Sequence, residues 1–187
     1  MKNIVLFASG GGSNAEKIME YFGKKDEFNV VGLFTNNPNA GAINRAKSYN
    51  VPVFVFNREE LNGDFVLKNV QNLNPDVIVL AGFLWKFPSN IIAQYPDKVV
   101  NIHPALLPKY GGKGMYGIHV HTAVLENKEE ETGITIHYVN DNYDEGNIIF
   151  QATVKVSDCT SPQEVASRVL ALEHEHFPRV IEEFLSK

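Results

Sequence analysis

A single cysteine, Cys159, is all the thiol chemistry that this chain of 187 residues carries. One thiol cannot close an internal disulfide, so nothing in the sequence asks for an oxidising compartment. Nor can it build a cysteine-based structural zinc site. No apolar window reaches the roughly 20 residues that a transmembrane helix needs. The first apolar run, Ile4 to Ala8, breaks at Ser9-Gly10. It reads as a buried strand, because a signal peptide needs a longer apolar region and a cleavage site. A cytoplasmic location is the resulting expectation. A basic surplus is missing too: 17 Lys and Arg stand against 22 Asp and Glu, a net charge of -5. That disfavours nucleic acid as a partner, whose binding leaves a basic stripe. A small anion stays open, since backbone N–H groups and a lysine or two suffice for a phosphate. Internal repeats, linkers and low-complexity segments are also absent.

What is present is an alternation of strand and helix patterns. Residues 4–8, 29–34, 51–56, 77–81 and 99–103 read as strands. Helical spacing lies between them, over 15–22, 40–49, 59–73 and 87–94. Val77 to Ala81 is almost purely apolar and β-branched, as in a central parallel strand buried on both faces. The proline in 51–56 suggests an edge position or a strand start. After residue 104 comes a long glycine-rich stretch, then the end of a helix from His121 to about Asn127. Two alternating strands, 133–140 and 148–156, form a hairpin across the polar turn 141–146. Ser161, Pro162 and Glu164 mark a helix start at N-cap, N1 and N3. That helix is expected to reach about Phe177, with a short second piece after Pro178. The whole implies an α/β fold in one domain, residues 1–187, with a mostly parallel central sheet and a C-terminal β-hairpin plus helix. Its halves are a phosphate-binding part of about 1–100 and a catalytic, C-terminal part of about 101–187.

Ligands in such sheets bind beyond the C-terminal strand ends. Gly11, Gly12, Ser13 and Asn14 follow a strand and open a helix, where free N–H groups can hold a phosphate. The alternative is a tight turn with a simple helix cap. Neither the GxGxxG nor the GK[ST] pattern is present. Asn101 and His103 stand two apart at a strand end and share one face. An amide donor and a charged imidazole there can stabilise a developing oxyanion. They can equally tether the loop that follows. Asp144 can orient His103, raise its pKa and relay a proton, although Asp141 and Glu145 lie in the same turn. His119 with His121, in a stretch that reads as a loop, and His174 with His176 lack the i, i+4 spacing of helical metal pairs, so no metal is expected. His137 reads as structural. Phe83, Trp85 and Phe87 read as packing or as a pocket wall. Cys159 has no base beside it.

The stretches IVLFASGGGSN, PDVIVLAGF, NIHPALLPKYGG and HYVNDNYDEGNIIFQ together resemble the folate-dependent formyltransferases. Within them, the chain is similar to the phosphoribosylglycinamide formyltransferases of purine biosynthesis. The resemblance implies a Rossmann-like domain that transfers formyl from 10-formyltetrahydrofolate, a co-substrate, to the amine of glycinamide ribonucleotide. It places the catalytic set on Asn101, His103 and Asp144, and the phosphate loop on Gly11 to Asn14. It assigns the folate pocket to Leu84, Trp85, Lys86 and Phe87 with Val139, Asn140 and Asp141. Glu173 matches an acid that contacts the ribonucleotide, and Lys109 lies in the loop over the reacting centre. Three features differ from the common pattern. Trp85, followed by Lys86, stands where a basic residue usually meets the folate tail. The loop 111–117 is longer, and the chain stops soon after Phe184. Small molecules are the implied partners, with no membrane and with monomer or homodimer left open. A formyltetrahydrofolate hydrolase and a non-catalytic nucleotide-binding module are the competing expectations. The extra N-terminal domain of the hydrolases and the basic C-terminal domain of the tRNA enzymes are not expected here.

Overall fold

Val77–Leu80 is buried at every residue, which requires cover on both faces of a sheet. The computed structural model describes residues 1–187 and supplies that cover. Its strands are β1 (Lys2–Phe7), β2 (Phe28–Thr35), β3 (Val53–Val55), β4 (Val77–Leu80), β5 (Val99–His103), β6 (Glu131–Tyr138) and β7 (Ile148–Lys155). They form one sheet in the order β3-β2-β1-β4-β5-β6-β7. β1 to β5 pair in parallel. β6 runs antiparallel to both β5 and β7. Pro52 lies just before the edge strand β3, where its missing N–H costs no ladder bond.

The period of two along β1 divides the core. Ile4 and Leu6 face a cluster of 28 buried residues under α1 (Ser13–Phe22) and α7 (Pro162–Leu185). Val5 and Phe7 face a second cluster of 12 with residues of α4 (Asp64–Leu73) and α5 (Ser89–Gln94). The remaining helices are α2 (Gly41–Ser48), α3 (Arg58–Asn62) and α6 (Ile118–Glu126).

Two helices depart from the sequence pattern. The single helix expected over 59–73 is two, because Gly63 takes an extended conformation between α3 and α4. A Cβ there would stand 2.9 Å from Glu59 O, so the close approach at the break favours glycine. The helix expected to stop near Phe177 instead runs unbroken to Leu185 with Pro178 inside it. Proline removes one backbone donor there. Burial of Phe177, Pro178, Val180, Ile181 and Leu185 on one face outweighs that loss.

The chain turns from β1 toward β2 on one side, and β4 pairs on the other. The crevice of such a sheet opens at that switch point. Hydrogen bonds draw its rim together. Ser9 N–H donates to Gly82 O at 3.0 Å. The Ser9 hydroxyl donates to Asn36 Oδ1 at 2.6 Å and accepts from Leu84 N–H at 3.0 Å. Across the rim, Gly146 brings the 141–146 turn onto β6. A Cβ there would stand 1.6 Å from Tyr138 O, so only glycine permits that approach.

Candidate active site

At the C-terminal edge of the sheet lies a cavity of about 590 Å³. β5 delivers Asn101 and His103 to it, and the 141–146 turn delivers Asp144. The Asp144 carboxylate approaches His103 Nδ1 at 3.5 Å through Oδ2. Gly112 N–H donates to the same oxygen at 2.9 Å. Asp144 has φ 55°, a left-handed conformation that aspartate tolerates better than most residues. The three candidate catalytic residues therefore converge, from stretches about 40 positions apart in the chain.

A fourth member joins them. His137 on β6 pairs with Asn101 in the antiparallel register. Its Nδ1–H donates to Tyr138 O at 2.8 Å. Its Nε2 accepts from Asn101 Nδ2–H at 3.1 Å and stands 3.6 Å from Asp144 Oδ1. The structural role expected for His137 is thus incomplete: it holds the Asn101 amide in the site. In a strand whose inward residues are all buried, nothing marks one histidine as special. The β5–β6 register is the signal that exposes it.

Burial acts against the charged His103 that the sequence suggests. Burial lowers the imidazole pKa, the Asp144 charge and the Tyr110 carbonyl raise it, and His137 lowers it again, for a net decrease. Its Nε2–H donates to Tyr110 O at 2.7 Å. Burial thus favours the neutral ring, and the neutral ring carries its proton on Nε2 and turns Nδ1 toward Asp144. For Asp144, burial raises the pKa. The imidazoles of His137 and His103, to the extent that they carry a proton toward it, and the Gly112 N–H outweigh burial, for a net decrease.

Other candidates line the same cavity. Leu84, Trp85, Lys86 and Phe87 form one wall, with Val139, Asn140 and Asp141 beside them. Phe87 is buried and packs edge-on against Phe7 at 5.0 Å. Arg58, not singled out in the sequence, lays its guanidinium over the Trp85 ring at 4.3 Å. Ser89 Oγ donates to Asp141 Oδ1 at 2.5 Å. At the far end, Asn14 Nδ2 donates to Glu173 Oε2 at 2.7 Å. Glu173 is 8% exposed, and burial raises its pKa against the opposing effect of Asn14.

Gly11, Gly12 and Ser13 sit beyond the lining of the cavity itself, in the turn that opens α1. Gly12 has φ 76°, and a Cβ on it would meet Ala42 Cβ at 2.5 Å. No side chain caps α1, so its first-turn N–H groups lack intrahelical acceptors. Arg45 Nε donates to Gly11 O at 2.8 Å and fixes the turn. His119 and His121 both fall in α6 rather than in a loop. Two positions are about 200° apart on a helix, so His119 is exposed while His121 is buried in the cavity wall.

A family model described as Formyl transferase matches residues 2–181. The chain belongs to the formyl transferase family. The chain is 41% identical to the chloroplastic phosphoribosylglycinamide formyltransferase of Arabidopsis thaliana, over 96% of its own length and 64% of the relative's. It is 34% identical to the phosphoribosylglycinamide formyltransferase of Escherichia coli K12, over 97% of its own length and 86% of the relative's. It spans 60% of the Vigna unguiculata relative, so in both plant proteins it covers less than two thirds of the chain. Its fold superposes on the phosphoribosylglycinamide formyltransferase of Anaplasma phagocytophilum with a TM-score of 0.90 at 29% identity, covering 99% of this chain and 87% of that one. The corresponding Brucella melitensis structure gives a TM-score of 0.89 at 32% identity, covering 100% and 96%. No helix of the chain is long and apolar enough to cross a membrane.

Three histidines, His103 and His121 buried and His174 half-buried, make stability depend on pH. Burial is the first cause that lowers His103, His121 and His174. In the unfolded chain each takes up a proton near pH 6.5. The native chain resists that uptake, so stability is present above that pH and lost as pH falls toward the lower native values. Glu173, raised by burial, acts in the opposite sense above its unfolded value. With three groups against one, the urea midpoint is expected to be lower at pH 5.5 than at pH 7.5, with the slope m unchanged. A midpoint that rises on acidification would reject burial as the dominant influence.

Proposed function

We propose that this formyl transferase moves the formyl group of 10-formyltetrahydrofolate onto the amine of glycinamide ribonucleotide. One observation carries the reading. A single cavity joins an acid-and-amide end, Glu173 and Asn14, to an aromatic end, Trp85 and Phe87, with Asn101, His103 and Asp144 between them. That layout suits two ligands that meet in the middle, one polar and one bearing a flat ring. The relatives named phosphoribosylglycinamide formyltransferase support the same substrates.

The phosphate of the acceptor binds at the start of α1, on the free N–H groups of Ser13 and Asn14 and the turn Gly11–Gly12. Glu173 accepts from hydroxyls of the ribonucleotide. The ring system of the folate lies along Leu84 to Phe87 and Val139 to Asp141. Asp141 stays available at the rim because Ser89 fixes it.

Chemistry then follows from the protonation states. The neutral amine attacks the formyl carbon, and the carbonyl electron pair moves to oxygen. Asn101 keeps one Nδ2–H free, since the other is given to His137, and donates it to the new oxyanion. His103 Nδ1 takes the proton that the amine loses. The imidazolium so formed faces the Asp144 carboxylate, which favours it. The bond to the folate nitrogen breaks as that nitrogen receives the proton. Each step uses side chains alone, with no covalent intermediate on the protein. A reducing, cytoplasmic setting goes with the single free and buried Cys159.

The test is to mix purified protein with 10-formyltetrahydrofolate, with and without glycinamide ribonucleotide. Formyl loss only when the acceptor is present is the expected result. Equal loss without acceptor would replace the reading by hydrolysis, with water in place of the amine. Binding of both ligands without turnover would leave a nucleotide-binding module.

A further inference from the structure

Tyr110 enters the site through its backbone. Its carbonyl accepts the Nε2–H of His103 at 2.7 Å. That bond decides which nitrogen of the neutral ring carries the proton and leaves Nδ1 as the one facing Asp144. The carbonyl is aimed by an uncommon conformation, since Tyr110 has φ 56° and is not glycine. Local backbone preference therefore works against it, and another contact has to hold it.

The phenol provides that contact. Tyr110 Oη–H donates to Glu129 Oε1 at 2.8 Å. Lys109 Nζ donates to the same oxygen at 3.0 Å. Glu129 is itself anchored in the connection from α6 to β6. Its N–H donates to Val124 O at 3.2 Å, and the neighbouring Glu130 carbonyl accepts from Val156 N–H at 2.9 Å. The acceptor thus belongs to the framework and not to the loop it restrains. Burial, with Glu129 beside it, pushes the Tyr110 phenol up to about 12. The hydroxyl remains a donor throughout the working pH range.

We propose that the Tyr110–Glu129 bond is a positioning device for the reaction: by holding the Tyr110 carbonyl against His103, it sets the tautomer that presents a lone pair on Nδ1. This rests on the formyl-transfer reading above. Without the bond, Tyr110 can relax to a negative φ and its carbonyl leaves Nε2. The strongest acceptor then left near the ring is the Asp144 carboxylate. The proton moves to Nδ1, and His103 can no longer take one from the amine. The groups that face His103 are Asp144 from the 141–146 turn, His137 from β6 and His121 from α6. Those that face the phenol are Glu129 and Lys109.

The experiment compares Tyr110→Phe, Glu129→Ala, Glu129→Gln and the double variant Tyr110→Phe with Glu129→Ala. Steady-state kinetics are measured for both substrates, and the ring ¹⁵N shifts of His103 are recorded in the ligand-free protein. Tyr110→Phe is expected to lower kcat about tenfold with KM for either substrate within about twofold. The ¹⁵N spectrum should change from the Nε2–H pattern toward a mixture. The double variant should be no worse than the worse single one, because both remove one interaction. Glu129→Gln, which keeps an acceptor, should recover most of the rate lost in Glu129→Ala. An unchanged ¹⁵N pattern in Tyr110→Phe, or additive losses in the double variant, would overturn the proposal. If Tyr110→Phe does not fold, the two Glu129 variants decide in the same way. A wild-type protein without formyl transfer would defeat the functional reading, while the ¹⁵N comparison would still judge the clamp.

Discussion

Asp144→Asn is expected to lower kcat by about 10²- to 10⁴-fold, the usual reach of general acid–base catalysis, while the fold stands. The new side chain has nearly the same shape, and its oxygen can still accept from Gly112 N–H, now 2.9 Å from Oδ2. What disappears is the negative charge 3.5 Å from His103 Nδ1. Asp144 is the larger of the two influences that raise the His103 pKa against its burial, the Tyr110 carbonyl being the other. Removing it drives that pKa lower still and leaves the imidazolium unpaired. The acidic limb of the pH–rate profile should therefore move to lower pH as the plateau falls. Steady-state kinetics between pH 5 and 9, with a urea midpoint for each protein, check both effects. Full activity in a folded Asp144→Asn protein would remove Asp144 from the reaction.

Much of this arrangement can be read from the chain before any coordinates. The run Val77–Leu80 is apolar at every position, and it forms a central strand. Asn101 and His103 stand two apart, so the pleat alone puts them on one face. Strand order and the crossover rule then bring the ends of β1, β4 and β5 to one edge. The parts that stay hidden depend on non-local geometry. His137 meets Asn101 only because β6 pairs with β5 in one particular register. The Tyr110 carbonyl is a backbone group, which no residue letter announces. His103 looks chargeable beside a carboxylate until its burial is known, and burial is a property of the assembled cavity. Arg58 and Trp85 stack although 27 positions separate them in the chain. The continuity of α7 through Pro178 is a tertiary override: packing of its apolar face decides, not the local rule against proline.

Asn101 separates two ways in which this site could lower the barrier. Its amide is held by His137 at 3.1 Å, with no rotamer search left at the moment of reaction. A donor preorganised in this way acts on charge that develops, not on the ground-state carbonyl. Asn101→Ala is therefore expected to lower kcat by about 10²- to 10³-fold, with little change in KM for either substrate. It should also destabilise the protein by about 1–3 kcal/mol, because His137 Nε2 loses its donor inside the protein. The two losses can be told apart with His137→Phe, which abolishes the acceptor and frees the Asn101 amide while leaving that amide in place. If preorganisation matters, this variant falls in kcat even though Asn101 is intact. If KM rises in Asn101→Ala while kcat holds, Asn101 binds the formyl group already in the ground state, and stabilisation of the oxyanion has to come from elsewhere in the cavity.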